Sequence, residues 1–100
     1  MSNPKGGLVL TRRQGEAVRL TRKTDKECFE LKILSLHAAS TTVMVKHNGN
    51  CNCVELAADT TQELFGGTID FCRGKNGGQQ VRMRFIMAED IDIVRTELLQ

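Results

Sequence analysis

The chain is poor in aromatic residues, in proline and in long apolar segments. Four of its 100 residues are Phe and one is Pro, and it contains neither Trp nor Tyr. The shortage of rings argues against a surface on which successive nucleobases stack on side chains. No apolar run approaches the roughly 20 residues of a membrane-spanning helix, and the polar segment Met1–Gly7 is not followed by the apolar core of a secretory signal. We therefore expect one cytoplasmic domain.

The four cysteines are expected to be reduced in that compartment, as free thiols or as ligands. The best ligand candidates are Cys51 and Cys53, but zinc sites usually use cysteine pairs separated by two residues rather than one. We instead expect both to be small apolar residues of the core, and we predict neither a metal nor another cofactor. The other residues considered as zinc ligands are His47, Cys28 and Cys72.

No arrangement typical of an active site is found in the sequence. The glycine-rich segment Gly74–Gly78 joins two predicted strands, whereas a phosphate-binding loop precedes a helix. His37 and His47 lack an obvious nucleophile with an orienting acid. The net charge of +2 is weak evidence for a polyanionic partner. We predict that the protein is not an enzyme.

Alternating apolar and polar residues predict strands over most of the chain. The pattern changes at Glu55–Phe65, where we predict a helix that ends at Gly66-Gly67, and Thr96 is a candidate cap for a helix at residues 96–100. The expected fold is a small, mainly antiparallel β-sheet barrel or sandwich with one or two short helices. The predicted strands are Leu8–Arg13, Ala17–Thr21, Phe29–Leu36, Thr41–His47, Cys51–Cys53, Thr68–Arg73, Gln80–Phe85 and Asp90–Arg95.

The apolar pattern repeats when the sequence is shifted by 40 residues. Without a gap, Leu31 coincides with Phe71 and Val43 with Met83. Two unrelated sets of consecutive strands with similar loops would also match in part, but we favour a duplication. The single domain would then contain a flexible leader at 1–6, a first copy at 7–65, and a partial second copy at 68–100 that lacks the first hairpin.

The first predicted strand, Leu8–Arg13, ends in two adjacent arginines. Adjacent residues of a strand point to opposite faces, so one guanidinium can meet a ligand while the other covers the sheet. Arginine suits RNA because it is always charged and can grip the O6/N7 edge of guanine with two hydrogen bonds. Arg82 and Arg84 alternate with apolar residues and are expected to be solvated on one outer face; the alternative is that they extend a basic surface.

The segment Leu8–Glu16, L-V-L-T-R-R-Q-G-E, is similar to the opening of the carbon storage regulator (Csr/Rsm) family of RNA-binding translational regulators. The end of the chain, Val81 to Leu98, is similar to the end of that family's chains. The resemblance implies an intertwined dimer, in which the first strand of one chain lies beside the last strand of the other and each pair binds a GGA-containing RNA loop. The implied RNA-binding residues are Leu10, Thr11, Arg12, Arg13, Met87, Ala88, Val94 and Arg95.

Three features depart from the family pattern. The chain is longer, the turn before the last strand is Met87-Ala88 without a proline, and Glu55 stands where the repeat places Arg95. A glutamate repels phosphate, so only one site is expected to be complete. We expect a Csr-like, monomeric pseudo-dimer in which Leu8–Arg13 pairs with Asp90–Arg95. The alternative is a homodimer with two sites, in which residues 41–80 are an insertion.

The resemblance implies a cytoplasmic regulator of translation or mRNA stability that binds mRNA leaders or small regulatory RNAs with GGA loops. The alternative is a protein-interaction or decoy member of the same fold that has lost most RNA binding. No membrane partner is expected in either case.

Overall fold

The computed structural model describes residues 7–73 and 79–96, and every structural statement below refers to them. In this part of the chain there are nine strands: β1 (Leu8–Arg13), β2 (Ala17–Arg22), β3 (Cys28–Leu36), β4 (Ser40–His47), β5 (Asn50–Ala57), β6 (Thr60–Leu64), β7 (Gly67–Arg73), β8 (Gln80–Ile86) and β9 (Ile91–Arg95). They form two antiparallel sheets. Sheet A has the order β1-β8-β7-β6, and sheet B has the order β5-β4-β3-β2-β9.

The two sheets share one apolar core, because alternate residues of their strands point to the inner face. In β8 the buried residues Val81, Met83 and Phe85 alternate with exposed Arg82 and Arg84. The same period-two pattern produced the sequence prediction of a mainly antiparallel β fold, which is confirmed. The sheets form a sandwich, and no strand pairing in the described residues closes them into a barrel. Their shared core contains Val18, Leu20, Leu31, Ile33, Val43, Ile69, Phe71, Val81, Met83, Phe85, Met87 and Ile91.

Each sheet is built from consecutive strands and completed by a strand from the other end of the chain. The four strands β2 to β5 are extended by β9, and the three strands β6 to β8 are extended by β1. The prediction that the first and last strands pair with each other is therefore wrong. Leu10 lies opposite Met83 of β8, and Ile93 lies opposite Leu20 of β2. Both end strands have an apolar side that faces the core, but β1 is paired in sheet A and β9 in sheet B.

The helix predicted for Glu55–Phe65 is also wrong, because this segment belongs to β5 and β6. Thr60 and Thr61 are β-branched and favour a strand, and β6 pairs with β7 from Thr60 to Leu64. The turn that follows has φ of 54° at Phe65 and 75° at Gly66, as a two-residue type I′ turn requires. No α-helix occurs in the described residues. The predicted leader 1–6, the loop 74–78 and residues 97–100 of the predicted terminal helix lie outside them.

The strand pairing does not follow an ungapped repeat through β3 and β7. Val43 pairs with Ile33, and Met83 pairs with Phe71. Val43 and Met83 are 40 residues apart, but their strand partners Ile33 and Phe71 are 38 apart. By pairing, Phe71 therefore corresponds to Ile33 and not, as the shift of 40 predicts, to Leu31. An irregularity in the β3–β4 ladder directly after Ile33 accompanies this difference.

The prediction that Cys51 and Cys53 belong to the core is wrong, because both are exposed. They lie on β5, an edge strand of the five-stranded sheet B. Cys53 is opposite Met44 and Cys51 is opposite exposed Lys46, so both thiols are on the outer face of sheet B. Residues 7–73 and 79–96 contain no helix able to span a membrane.

Candidate nucleic-acid interface

The first and last strands border a common cleft, although they belong to different sheets. A cavity of about 330 Å³ is lined by Leu8 at the start of β1 and by Ile91 and Ile93 of β9. At the other end of β1, the carbonyl oxygen of Ala17 accepts hydrogen bonds from Arg12 Nη1 at 3.4 Å and from Thr96 Oγ1 at 3.3 Å. Both strands therefore begin at this cavity and end near the carbonyl of Ala17, so they run in the same direction. We call this region the β1–β9 cleft. Its other lining residues are Gly7, Phe85, Met87 and Ala88.

Arg12 is a buried part of the sandwich. It is 4% exposed, its Nε donates to the carbonyl of Thr11 at 2.9 Å, and its Nη1 reaches Ala17 in the other sheet. Glu16 Oε1 lies 3.9 Å from the same Nε. A guanidinium removed from water requires hydrogen-bond partners, and these contacts supply them. Arg12 thus links β1 to sheet B and is the arginine that covers the sheet.

A second arginine bridges the sheets at the same end of the molecule. Arg73 Nη1 donates to the carbonyls of His37 at 2.8 Å and Ser40 at 3.2 Å, and to Thr41 Oγ1 at 3.4 Å. Arg12 and Arg73 pair with Val81 from opposite sides, so both point to the inner face. The sequence analysis missed this role of Arg73, because its partners are more than thirty residues away in the chain.

Arg13 points to the opposite side, as the alternation along β1 predicts. It is exposed, as is Thr11 two residues before it. Their neighbours in β8 are Gln80 and exposed Arg82. The outer face of sheet A therefore carries a row of cations beside the cleft, which we call the basic face. It comprises Arg13, Arg82 and Arg84, the last of which pairs with Asp70 at 3.4 Å.

Arg95 lies at the end of β9. It is exposed and stands opposite Val18, on the same side of the strand as the cleft residue Ile93. Since Thr96 and Arg12 share the carbonyl of Ala17, β9 and β1 end at the same end of the sandwich, with Arg95 on the inner side of β9 and Arg13 on the outer face of sheet A. Val94 faces the other way, towards the outer face of sheet B beside Arg19.

The structure thus divides the predicted RNA-binding residues among four environments. Thr11 and Arg13 lie on the outer face of sheet A, and Arg95 lies at the end of the cleft. Leu10 packs against the core, and Arg12 is buried. Met87 is 8% exposed and Ala88 is half-buried, and both line the cleft. Val94 is half-buried on the far side of β9.

Two of the four phenylalanines form a ring cluster with His47 at the end of the sandwich opposite Arg12 and Arg73. Phe29 stacks on His47 with centroids 3.9 Å apart, and Phe65 meets Phe29 edge-on at 5.0 Å. The guanidinium of Arg22 lies 5.0 Å from the centre of the Phe65 ring, and His47 Nε2 lies 2.5 Å from Glu27 Oε1. This packing offsets the unfavourable positive φ of a bulky residue at position 65.

The loop beside this cluster contains a pH-dependent ion pair. Arg22 donates two hydrogen bonds to Asp25, at 3.0 and 2.8 Å. These bonds, together with the backbone N–H of Glu27, lower the pKa of Asp25 from 3.8 to about 2. A carboxylate with a depressed pKa stabilises the fold above its unfolded pKa, and this contribution is lost as the pH falls through the folded pKa.

We therefore expect Asp25→Asn to flatten the pH dependence of stability between pH 3.8 and about 2. Thermal unfolding midpoints measured across this interval would show a smaller decrease in the variant than in the wild type. Asp59→Asn is a control, since Asp59 accepts only from the backbone N–H of Arg73 among the contacts described. Equal slopes for Asp25→Asn and wild type would contradict the assignment.

The fold and the cleft define a mainly β, two-sheet protein whose end strands border a common cleft flanked by arginines. Within residues 7–73 and 79–96, no group of three or more His, Cys, Asp or Glu side chains is placed to hold a metal ion. No protein-family profile, curated protein or solved structure matches the chain.

Proposed function

We propose that the protein binds single-stranded RNA at the β1–β9 cleft and acts as a post-transcriptional regulator of the carbon storage regulator type. The observation that carries the proposal is that β1 and β9 border one cavity, lined by Leu8 and Ile93, and that both strands end near the carbonyl of Ala17. As a result, β1 ends at Arg13 and β9 at Arg95 at the same end of the sandwich. The resemblance of Leu8–Glu16 to the opening of that family implies an RNA site at which the first and last strands lie beside each other; here the two strands border a common cleft without pairing.

The chemistry of the cleft suits unpaired bases. In the described residues, β1 pairs only with β8 and β9 only with β2, so each strand has a backbone edge available to hydrogen-bond with a base. Leu8 and Val9 are each 46% exposed and offer apolar contact area. Single-stranded loops present free base edges to such groups, and an arginine at the end of the cleft can grip a guanine with two hydrogen bonds.

We further propose that one chain forms one complete site. The strands that border the cleft belong to the same chain, which favours a site completed within one pseudo-dimeric chain over a site shared between the chains of a homodimer with an insertion. β5 extends sheet B beside β4, as β1 extends sheet A beside β8. It carries Glu55, whose carboxylate accepts a hydrogen bond from Ser40 at 3.0 Å and would repel phosphate. A GGA-bearing mRNA leader or small regulatory RNA is the proposed ligand.

Fluorescence anisotropy with a labelled hairpin carrying a GGA loop tests the proposal directly. We expect Arg13→Ala and Arg95→Ala each to weaken binding by about tenfold or more, since a two-bond guanine contact is worth roughly 1–3 kcal/mol. Lys46→Ala is the matched control, because Lys46 is an exposed cation of β4, in the part of sheet B farthest from β9. Glu55→Ala is expected to leave binding unchanged.

Two outcomes would contradict the proposal. One is no binding of the GGA hairpin at low salt, which would favour a protein-interaction role instead. The other is equal weakening by Lys46→Ala and Arg95→Ala, which would indicate only non-specific attraction between the protein and the RNA backbone. A hairpin with CCA in place of GGA in the loop separates sequence recognition from electrostatic binding.

A further inference from the structure

The edge strand β5 is exposed to an unusual extent for a strand of eight residues. Seven of them are exposed and Leu56 is half-buried. Sheet B has five strands and sheet A four, so β5 extends beyond the part of sheet B that sheet A covers. Val54, on the inner side of β5 opposite Val43, is consequently 39% exposed.

The outer edge of β5 lacks the features that usually prevent strands from pairing with other chains. Such features include proline, lysine, a bulge or a very short strand. β5 contains no proline or lysine, its ladder with β4 is regular over eight residue pairs, and Glu55 is its single charged residue. The other sheet edges differ: β6 and β9 have five residues each, and β1 ends in two arginines.

The turn between β4 and β5 determines which backbone groups of β5 face outwards. Asn48 and Gly49 have φ of 52° and 81°, which defines a two-residue type I′ turn. The pair that closes such a turn is mutually hydrogen-bonded, and hydrogen-bonded pairs then alternate along the ladder. The N–H and C=O groups of Cys51, Cys53 and Glu55 therefore point away from β4.

We propose that two copies of the chain associate through β5, paired antiparallel about a two-fold axis at Cys53. Cys53 then faces Cys53 of the second copy, and Cys51 faces Glu55 of the second copy, so the outward backbone groups of these three residues find partners of the same set. No like charges stand opposite each other in this register. A two-fold pairing uses the same surface on both chains, and it brings the exposed Val54 of each copy diagonally together across the axis.

The proposed association is expected to be weak and concentration-dependent, because a single pair of edge strands buries less surface than a stable dimer does. Sedimentation equilibrium in reducing buffer without RNA is the test. The mass of the wild type should rise from 11.1 kDa towards twice that value as the protein concentration increases. Because no RNA is present, this result does not depend on the proposed function.

Variants at Cys53 test whether the two copies associate through β5. Cys53→Pro removes an outward N–H while leaving the β4–β5 ladder intact, and it should keep the mass at 11.1 kDa. Cys53→Lys keeps the backbone and places two like charges on the axis, and it should raise the dimer dissociation constant several-fold. Cys53→Ser should dimerise as the wild type does, because the pairing uses the backbone and not the sulfur.

A proline in β6, an edge strand of sheet A, provides the matched control. Leu64 closes the Phe65-Gly66 turn with Gly67, so by the same alternation the N–H of Glu63 points away from β7. Glu63→Pro should leave the mass of the dimer unchanged. A wild type that stays at 11.1 kDa at all concentrations, or a dimer insensitive to both Cys53→Pro and Cys53→Lys, would overturn the proposal. The second result would indicate an exchange of strands between chains instead.

Discussion

Arg12→Ala is expected to lower the free energy of unfolding by about 3 kcal/mol, because truncating a large buried side chain costs of that order and the carbonyls of Thr11 and Ala17 each lose a hydrogen-bond donor. Arg13→Ala is expected to change it by no more than about 0.5 kcal/mol, as is usual for an exposed residue. The contrast follows from burial, since Arg12 is 4% exposed and Arg13 is exposed. Arg12→Ala also leaves a void between β1 and sheet B, and a buried void adds to the cost.

Urea denaturation measures both effects, provided that the slope against denaturant stays the same. Arg12→Lys sharpens the comparison, because lysine retains the charge but not the planar fork. It should recover only part of the lost stability. In binding assays the ranking of the two variants should be reversed. Arg13→Ala should weaken RNA binding more than Arg12→Ala does, when Arg12→Ala is measured at a temperature at which it is folded. Equal destabilisation by Arg12→Ala and Arg13→Ala would contradict this division of roles.

Gly67→Ala is expected to destabilise the fold by about 3 kcal/mol or more, at the upper end of overpacking costs. A Cβ at Gly67 would lie 2.7 Å from Met87 Sδ and 3.1 Å from Met87 Cα, and closer still to the carbonyl oxygen of Ile86. Backbone atoms of β8 would have to move, which a well-packed sheet resists. Met87 lines the β1–β9 cleft, so the same substitution should also weaken RNA binding.

The neighbouring glycine is a control for the chemical change itself. Gly66 has φ of +75° and nothing within 4 Å of an added Cβ. Gly66→Ala should therefore cost only about 1 kcal/mol, from conformational strain. The thermal unfolding midpoints of Gly67→Ala and Gly66→Ala compare the cost of a steric clash with the cost of an unfavourable backbone conformation at adjacent positions. Similar losses of stability in both variants would show that Gly67 is not closely packed against β8.

The strands could be predicted from the sequence because half-buried strands leave a local signature. The bounds of β1 were predicted without error, and those of β8 differ by one residue. The helix prediction for residues 55–65 was wrong for a physical reason. β5 is exposed on both faces and loses its alternation, and β6 is short and ends at Phe65 with a positive φ. An exposed edge strand has no buried face to impose a period of two, so its pattern resembles that of a helix.

The candidate site was predictable in part. The opposite orientation of Arg12 and Arg13 follows from strand geometry alone, and the outer position of Arg82 follows from its apolar neighbours. The partner of β1 was not predictable in this way, because β8 and β9 both have an apolar side and the choice depends on the whole sheet. The role of Arg73 and the lining of the cleft by Phe85 likewise depend on contacts between distant strands, which no local pattern encodes.

The exchange of end strands between the two sheets has consequences for the order of folding. β2 leaves the ribosome long before residues 91–95, with which it pairs, and β1 has to await β8 in the same way. Neither sheet can acquire its full complement of strands until almost the whole described chain has been synthesised. Folds dominated by such distant pairings fold on a timescale of roughly milliseconds to seconds. β1 stays open to pairing with other chains until β8 is made, and the edge of β2 until β9 is made, so we expect newly made protein to be most prone to aggregation just before β8 is added, when both are open.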